Sequence, residues 1–264
     1  MVPPRIGGLG GAKTTILKWV LKHAKRAVLK NIARGATMAT IHKLHPDNPQ
    51  PRAIAQIISA LRDGAIMLYP TDTVYAIGCD LMSKSGIESV RKLKQMSNDK
   101  PLTFLCSSLS NISEYAIVSN ANYRTMKSLV PGPFTFILPA TKLVPKLVLN
   151  PKRKTTGIRV PDHGVSQTLI EALGNPIIST SANQSKANLD DEDFMPQPKN
   201  GKQGKQHNVC ELPKIELFDH FYKLVDLIID DGSDQNFEVS TIIDLTDDLH
   251  PQILRQGLGK FELP

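Results

Sequence analysis

Apolar residues recur along this chain in two alternating rhythms. Ile54, Ile57, Ile58 and Leu61 fall at three- and four-residue intervals, one face of a helix that Gly64 closes. Ala65 to Tyr69 follows as a short apolar strand stopped by Pro70. Ile87 to Lys94 has helical spacing, and Leu102 to Cys106 is the next strand. Phe134 to Leu138, bracketed by Pro133 and Pro139, is another. Gln167 to Leu173 is a helix ended by Gly174, feeding a strand at Pro176 to Ser179. Late strands are expected at Leu224 to Ile229, Thr241 to Leu245 and Ile253 to Arg255. Strands alternating with helices predict an α/β sheet rather than a sandwich.

Two regions break the rhythm. Residues 1–44 carry nine Lys or Arg and no acid, and the first acidic residue is Asp47. From Ile16 to Ala33 the apolar Ile16, Leu17, Val20, Leu21, Ala24, Ala27 and Val28 share one helical face, while Lys18, Lys22, Lys25, Arg26 and Lys30 take the other. This is a basic N-terminal extension, flexible or helical. It fits an organelle-targeting helix, a membrane-surface or RNA-contacting arm, or a stretch upstream of a start at Met38. Gly7-Gly-Leu-Gly-Gly-Ala-Lys-Thr14 is one residue away from a phosphate-binding P-loop. Ala12 stands where the last glycine belongs, and Met1 to Ile6, with Pro3 and Pro4, cannot supply the buried strand such a loop needs. The folded domain is expected over residues 45–260. Inside it, residues 184–218 hold Asp190-Asp-Glu-Asp193 and the Gly/Lys/Gln/Asn run Asn200 to Asn208, the composition of a mobile surface insertion.

With 264 residues, 41% of them hydrophobic, the chain can bury one large core. No apolar stretch approaches the ~18–20 residues of a membrane span. Cys79, Cys106 and Cys210 have neither Cys-x-x-Cys nor zinc-like His spacing, so no metal site is expected and the thiols suit a reducing compartment. A cytoplasmic location follows, with an organelle the alternative that the basic extension leaves open. The net charge of +7 favours polyanionic partners such as RNA or nucleotide phosphates.

Candidate chemistry collects in hydroxyl-rich turns. Tyr69-Pro-Thr-Asp-Thr-Val-Tyr75 leaves a strand at the end where open α/β sheets bind ligands. Its bland reading is a turn whose Thr and Asp side chains satisfy local backbone. Lys94 ends a helical face and can reach a phosphate, or simply complement the helix terminus. Arg159, between Ile158 and Val160 in a strand, needs an anion, either from the protein or from a ligand. Ser179-Thr-Ser-Ala-Asn183 offers uncharged donors to a nucleotide. From Lys142 to Arg159 there are six basic residues and no acid, mostly a solvated face. His163, after Pro161-Asp162, is a candidate acid–base group, with a turn histidine the preferred reading. No nucleophile–base pair stands out, so positioning and charge neutralisation of a bound substrate should carry the chemistry.

In order and spacing these segments resemble one family. From His45 to about Gly259 the chain is similar to the YrdC/YciO family of threonylcarbamoyl-AMP synthases and their paralogues. The shared stretches are Tyr69-Pro-Thr-x-Thr-Val-Tyr-x-x-Gly78, Pro131-Gly-Pro-Phe-Thr-Phe-Ile-Leu138, Gly157-Ile-Arg-Val-Pro-Asp-His163, Ser179-Thr-Ser-Ala-Asn183, Ser240-Thr-Ile-Ile-Asp244 and Ile253-Leu-Arg-x-Gly257. His45-Pro-Asp-Asn-Pro49 and Asn98-Asp-Lys-Pro-Leu-Thr-Phe-Leu105 are closer to the YciO branch. The resemblance implies a single α/β domain with a twisted, open mixed sheet and a concave basic groove. It implies L-threonine, bicarbonate and ATP with Mg²⁺ as substrates, no tightly bound cofactor, and a role in tRNA threonylcarbamoyladenosine modification. By motif, Thr73, Arg159, Ser179 and Ser240 would serve threonine, with Arg159 on its carboxylate. Lys94, Thr155, Ser181, Asn183 and Arg255 would serve ATP. Two departures stand out: the family's Lys-x-Arg is Lys94-Gln95-Met96 here, and a strand-ending His is Leu105. The alternative expectation is a non-catalytic or differently acting protein that binds tRNA or double-stranded RNA in the same groove.

Overall fold

The stripe of Ile54, Ile57, Ile58 and Leu61 forms the buried side of helix α1 (Pro51–Arg62), with Pro51 in the first turn, where its missing N–H costs nothing. Gly64 then takes φ +91°, the left-handed geometry that turns the chain into strand β2 (Met67–Tyr69). The computed structural model describes residues 38–97, 101–182, 212–234 and 236–262. The P-loop-like Gly7–Thr14, the amphipathic Ile16–Ala33, Cys210 and Asn183 lie outside them.

In chain order the described elements are β1 (Thr40–Lys43), α1, β2, β3 (Ala76–Asp80), α2 (Lys84–Leu93), β4 (Thr103–Leu105), α3 (Leu109–Tyr115), α4 (Asn120–Lys127), β5 (Phe134–Pro139), β6 (Thr155–Arg159), α5 (Gly164–Leu173), β7 (Ile177–Ser181), α6 (Lys214–Phe221), β8 (Leu227–Asp230), β9 (Thr241–Asp244) and β10 (Gln252–Arg255). Ser83, Ser108, Ser119 and His163 accept an N–H three residues on, and so cap α2 to α5.

The ten strands form one mixed sheet in the order β1-β8-β2-β3-β7-β4-β6-β5-β9-β10. One face is packed by α2, α3, α4 and α6 through Ile87, Val90, Ile112, Tyr115, Met126, Leu217 and Phe221, against Phe104, Phe136, Ile158 and Ile178. The other carries α1 and α5, whose Ile57, Leu61, Val165 and Leu169 cover Met67, Tyr69, Leu105 and Ile177. These two helices cover one part of that face. Over β6, β5 and β9 the same face carries Thr155, Gly157, Arg159, Thr135 and Asp244, set among Ile137 and Ile242. Cys79 and Cys106 are free and buried, and burial pushes both thiols well above their ordinary value. No helix among the described residues is long and apolar enough to cross a membrane.

The structure corrects three boundaries. The compact unit begins at Ala39 rather than at residue 45, because Thr40–Lys43 pairs in parallel with Leu227–Asp230 and extends the sheet. The insertion ends before residue 218, since Lys214 opens α6 and Leu217 is buried. The expected strand at Leu224–Ile229 starts only at Leu227, because Leu224 and Val225 still turn back onto Phe221.

Candidate functional site

Cross-strand register places the candidate residues in rows on the sheet face that also carries α1 and α5. Leu105 pairs with Arg159, and Ile242 with Thr135 on one side and Arg255 on the other. A middle row runs Gly78–Ser179–Thr103–Gly157–Ile137–Asp244. Ser181 and Thr155 stand two residues further along their strands, opposite Ala76 and Pro139. Arg159 and Thr155 belong to one strand, so the two ends of this surface lie about 13 Å apart at the usual strand rise.

At one end Arg159 is 5% exposed. Its Nη1 donates to Thr73 Oγ1 at 2.7 Å, its Nε to the Gly132 carbonyl at 3.2 Å and its Nη2 to Asp72 Oδ1 at 2.6 Å. The Asp72–Thr73 turn is itself braced. Thr71 Oγ1 accepts the Thr73 N–H at 3.1 Å and donates to the Val74 carbonyl at 2.8 Å, while the Ser166 hydroxyl donates to the Pro70 carbonyl. Burial pushes the Tyr69 phenol up, with the Ser179 hydroxyl and the Arg159 charge pulling the other way. Ser240 shares a 2.9 Å hydrogen bond with Thr135, and Arg255 donates to the Ser240 carbonyl at 2.9 and 3.1 Å. At the other end Lys94, the C-cap of α2, donates from Nζ to the Ser181 carbonyl at 3.1 Å. At the far end of the middle row, Asp244 faces Arg153 at 3.5 Å.

Gly157 keeps the floor low. A Cβ there would sit 2.6 Å from the Thr103 hydroxyl. Gly78 is equally constrained, since a Cβ would meet the Ile178 carbonyl at 2.6 Å and the Tyr69 ring at 2.7 Å.

The structure thus brings Thr73, Arg159, Ser240 and Arg255 to one end, Lys94, Ser181 and Thr155 to the other, and Ser179 between them. Arg255 contacts Ser240, on the Arg159 side, rather than Ser181. The anion that Arg159 requires is supplied within the protein by Asp72, a role the sequence reading did not assign. The signal was there, a carboxylate beside Thr73 and a lone strand arginine, but no spacing rule joins residues 87 apart. Thr103, Thr135 and Asp244 were also missed, since their place on this face follows from register alone. His163 caps α5 and lies 3.1 Å from Asp231. Leu105 is 1% exposed within the apolar cluster under α1 and α5, and Met96 packs partly buried against the opposite core. Neither supplies a polar group.

Comparison with known proteins gives a consistent picture. A family model for Sua5, YciO and YrdC proteins, described as telomere recombination, matches residues 59–197. YciO of Escherichia coli K12 is 38% identical over 222 residues, 84% of this chain and 97% of that one. Its crystal structure superposes with a TM-score of 0.70, over 84% of this chain and 98% of that chain. Threonylcarbamoyl-AMP synthase of E. coli O1:K1 is 34% identical over 142 residues, 53% of this chain and 74% of that one. The P. abyssi Sua5 structure complexed with L-threonine is 25% identical with a TM-score of 0.66, covering 83% of this chain and 58% of that one. With its ten-stranded open sheet, its motifs in register on one face and this likeness along most of its length, the chain belongs to the Sua5/YciO/YrdC family.

Proposed function

We propose that this protein is a cytoplasmic L-threonylcarbamoyladenylate synthase, taking L-threonine, bicarbonate and MgATP and serving tRNA threonylcarbamoyladenosine modification. The observation that carries the reading is one surface with two unlike ends about 13 Å apart. At one, a buried arginine and a threonine hydroxyl suit an amino acid. At the other, a lysine beside a hydroxyl-bearing strand end suits phosphates. The relationship to threonylcarbamoyl-AMP synthases and the L-threonine complex of P. abyssi Sua5 support the same assignment.

The chemistry this arrangement favours is in-line displacement. A carbamate oxygen on the threonine nitrogen forms a bond to the α-phosphorus of ATP, the bond from that phosphorus to the β-phosphate bridging oxygen breaks, and pyrophosphate leaves with its Mg²⁺. Arg159 and Thr73 would hold the amino-acid end, with Ser179 and Ser240 lining the pocket. Lys94 would neutralise phosphate charge, with Thr155, Ser181 and Asn183 positioning the nucleotide, whereas Arg255, held on the Ser240 carbonyl at the opposite end, would add positive charge beside the amino-acid pocket. No protein nucleophile enters. Alignment and charge neutralisation supply the acceleration, and alignment alone is worth as much as ~7–11 kcal/mol. Met96 and Leu105 withdraw two polar groups, and a lost charge-assisted contact costs about 1.5–3 kcal/mol, so turnover should be slow.

The test is pyrophosphate release by the purified full-length chain. Release should require threonine and bicarbonate together and disappear in Lys94→Ala. Release that ignores threonine, or none at saturating ATP, would refute the reading. A second reading has its own support in the basic turn Lys152–Lys154, exposed where β6 begins: the groove holds tRNA or double-stranded RNA without adenylate chemistry. That protein would bind RNA with a steep fall of log affinity against log salt, and a flat salt response removes it.

A further inference from the structure

We propose that Asp72 is the amine-recognising residue of the groove, and that it makes the Arg159 end selective for zwitterionic α-amino acids over plain carboxylates. The inference rests on the reading above that this end takes the amino acid. Asp72 lies in the turn between β2 and β3, with its side chain 12% exposed and its Oδ1 2.6 Å from Arg159 Nη2. Its other oxygen, Oδ2, is buried and has no hydrogen-bond partner among the described residues. A carboxylate oxygen removed from water without a donor forfeits its hydration, a cost that a ligand N–H recovers.

The arginine shows the complementary half. Of its five N–H donors, three are spent on Gly132, Thr73 and Asp72, and two remain. A ligand carboxylate can take those two, but it meets a guanidinium already offset by the Asp72 charge. An α-amino acid meets a matching dipole, its carboxylate against Arg159 and its ammonium against Asp72 Oδ2. Condensation of that nitrogen with bicarbonate, which releases water and a proton, leaves one N–H on the carbamate, so the donor to Asp72 persists into the reacting species. The turn is prepared for this: the Thr71 and Thr73 hydroxyls lie 3.1 Å apart, and Asn236 Nδ2 donates to the Asp72 carbonyl at 3.3 Å.

The experiment is calorimetric titration of the full-length protein with L-threonine, with 3-hydroxybutyrate, which lacks the amine, and with 1-amino-2-propanol, which lacks the carboxylate. L-threonine should bind about tenfold to a hundredfold more tightly than either fragment. Asp72→Asn should lose that margin and bind 3-hydroxybutyrate more tightly than the wild type does, because Arg159 no longer faces a negative partner. A purely structural role would weaken all three ligands together and would overturn the proposal. So would unchanged L-threonine affinity in Asp72→Asn. Equal affinity of the wild type for 3-hydroxybutyrate and L-threonine overturns it as well, with no variant needed. A wild type that prefers another zwitterion, such as L-serine, sinks the threonine assignment and leaves that of Asp72 standing. One that holds no α-amino acid sinks both.

Discussion

Arg159→Ala isolates the energetics on which the groove depends. The guanidinium and the Asp72 carboxylate are 6% and 12% exposed and meet at 2.6 Å, so neither is solvated as a surface ion would be. Truncating the arginine leaves the carboxylate buried without its cation, and removing one partner of such a pair costs about 3–5 kcal/mol. A surface pair would cost about 0–1 kcal/mol. For a domain of this size, each kcal/mol lowers Tm by roughly 2–4 °C, which makes the expected loss about 6–20 °C. The second variant separates charge from packing. In Arg159→Ala/Asp72→Asn the orphaned charge is gone, so a large part of the loss should return, whereas a cavity left by the missing side chain would not be refilled. Urea unfolding of the wild type, both single variants and the double variant gives the coupling directly. If Arg159→Ala costs less than about 1 kcal/mol, or if Asp72→Asn fails to rescue it, the pair is not desolvated and the dry amino-acid end is wrong.

Gly157→Ala should lower pyrophosphate release by more than its stability cost suggests. The new methyl sits 2.6 Å from the Thr103 hydroxyl and 3.4 Å from Ile137 Cδ1. Rotation of Thr103 relieves the clash for about 1–3 kcal/mol of overpacking but raises the floor, and an unchanged rate would remove Gly157 from the site. Gly174→Ala is the control away from the groove: φ is +78° with open space around it, so only backbone strain of about 1–2 kcal/mol should appear in Tm, with activity intact. A third expectation concerns acid. Burial alone would raise the Asp230 carboxyl, but the Lys214 hydrogen bond, the Gly232 N–H and the charges of Lys214 and Lys43 leave it below its ordinary value. The stability it adds is therefore complete above the ordinary carboxylate range and is lost as pH falls from about 3.9. Lys214→Met should flatten the acid limb of a Tm-against-pH curve, and parallel curves would contradict the pairing.

The elements that could be read from the chain were those whose signal is local. Ile54 to Leu61 needs only its own periodicity, and Phe134 to Leu138 only its flanking prolines, and both stand where expected. β3 escaped because Ala76 to Asp80 is buried on both faces and shows no alternation. β1 was hidden for the opposite reason: Thr40–Lys43 is a polar edge strand, ordered by pairing with β8 nearly two hundred residues later. The same division holds in the site. Hydroxyls and cations were visible as residue types in turns and strand ends, but which of them share a face is a property of register. Register placed Thr103 between Ser179 and Gly157, and set Arg255 beside Ser240.

Leu105 ties this division to function. It pairs across the sheet with Arg159 on one side and Ile177 on the other, so whatever occupies it sets the polarity beside the guanidinium. The resemblance to active synthases would put an imidazole there. Leucine instead carries the apolar cluster of Tyr69, Ile177 and Val165 up to the arginine. That removes a titratable group, and it also dries the Arg159–Asp72 pair, strengthening its attraction while raising the cost of leaving either partner alone. The two effects pull apart in an experiment. Leu105→His should weaken the coupling between Arg159 and Asp72 while raising threonine-dependent turnover. A variant that changes turnover but leaves the coupling intact would mean that position 105 acts on the substrate and not through the pair.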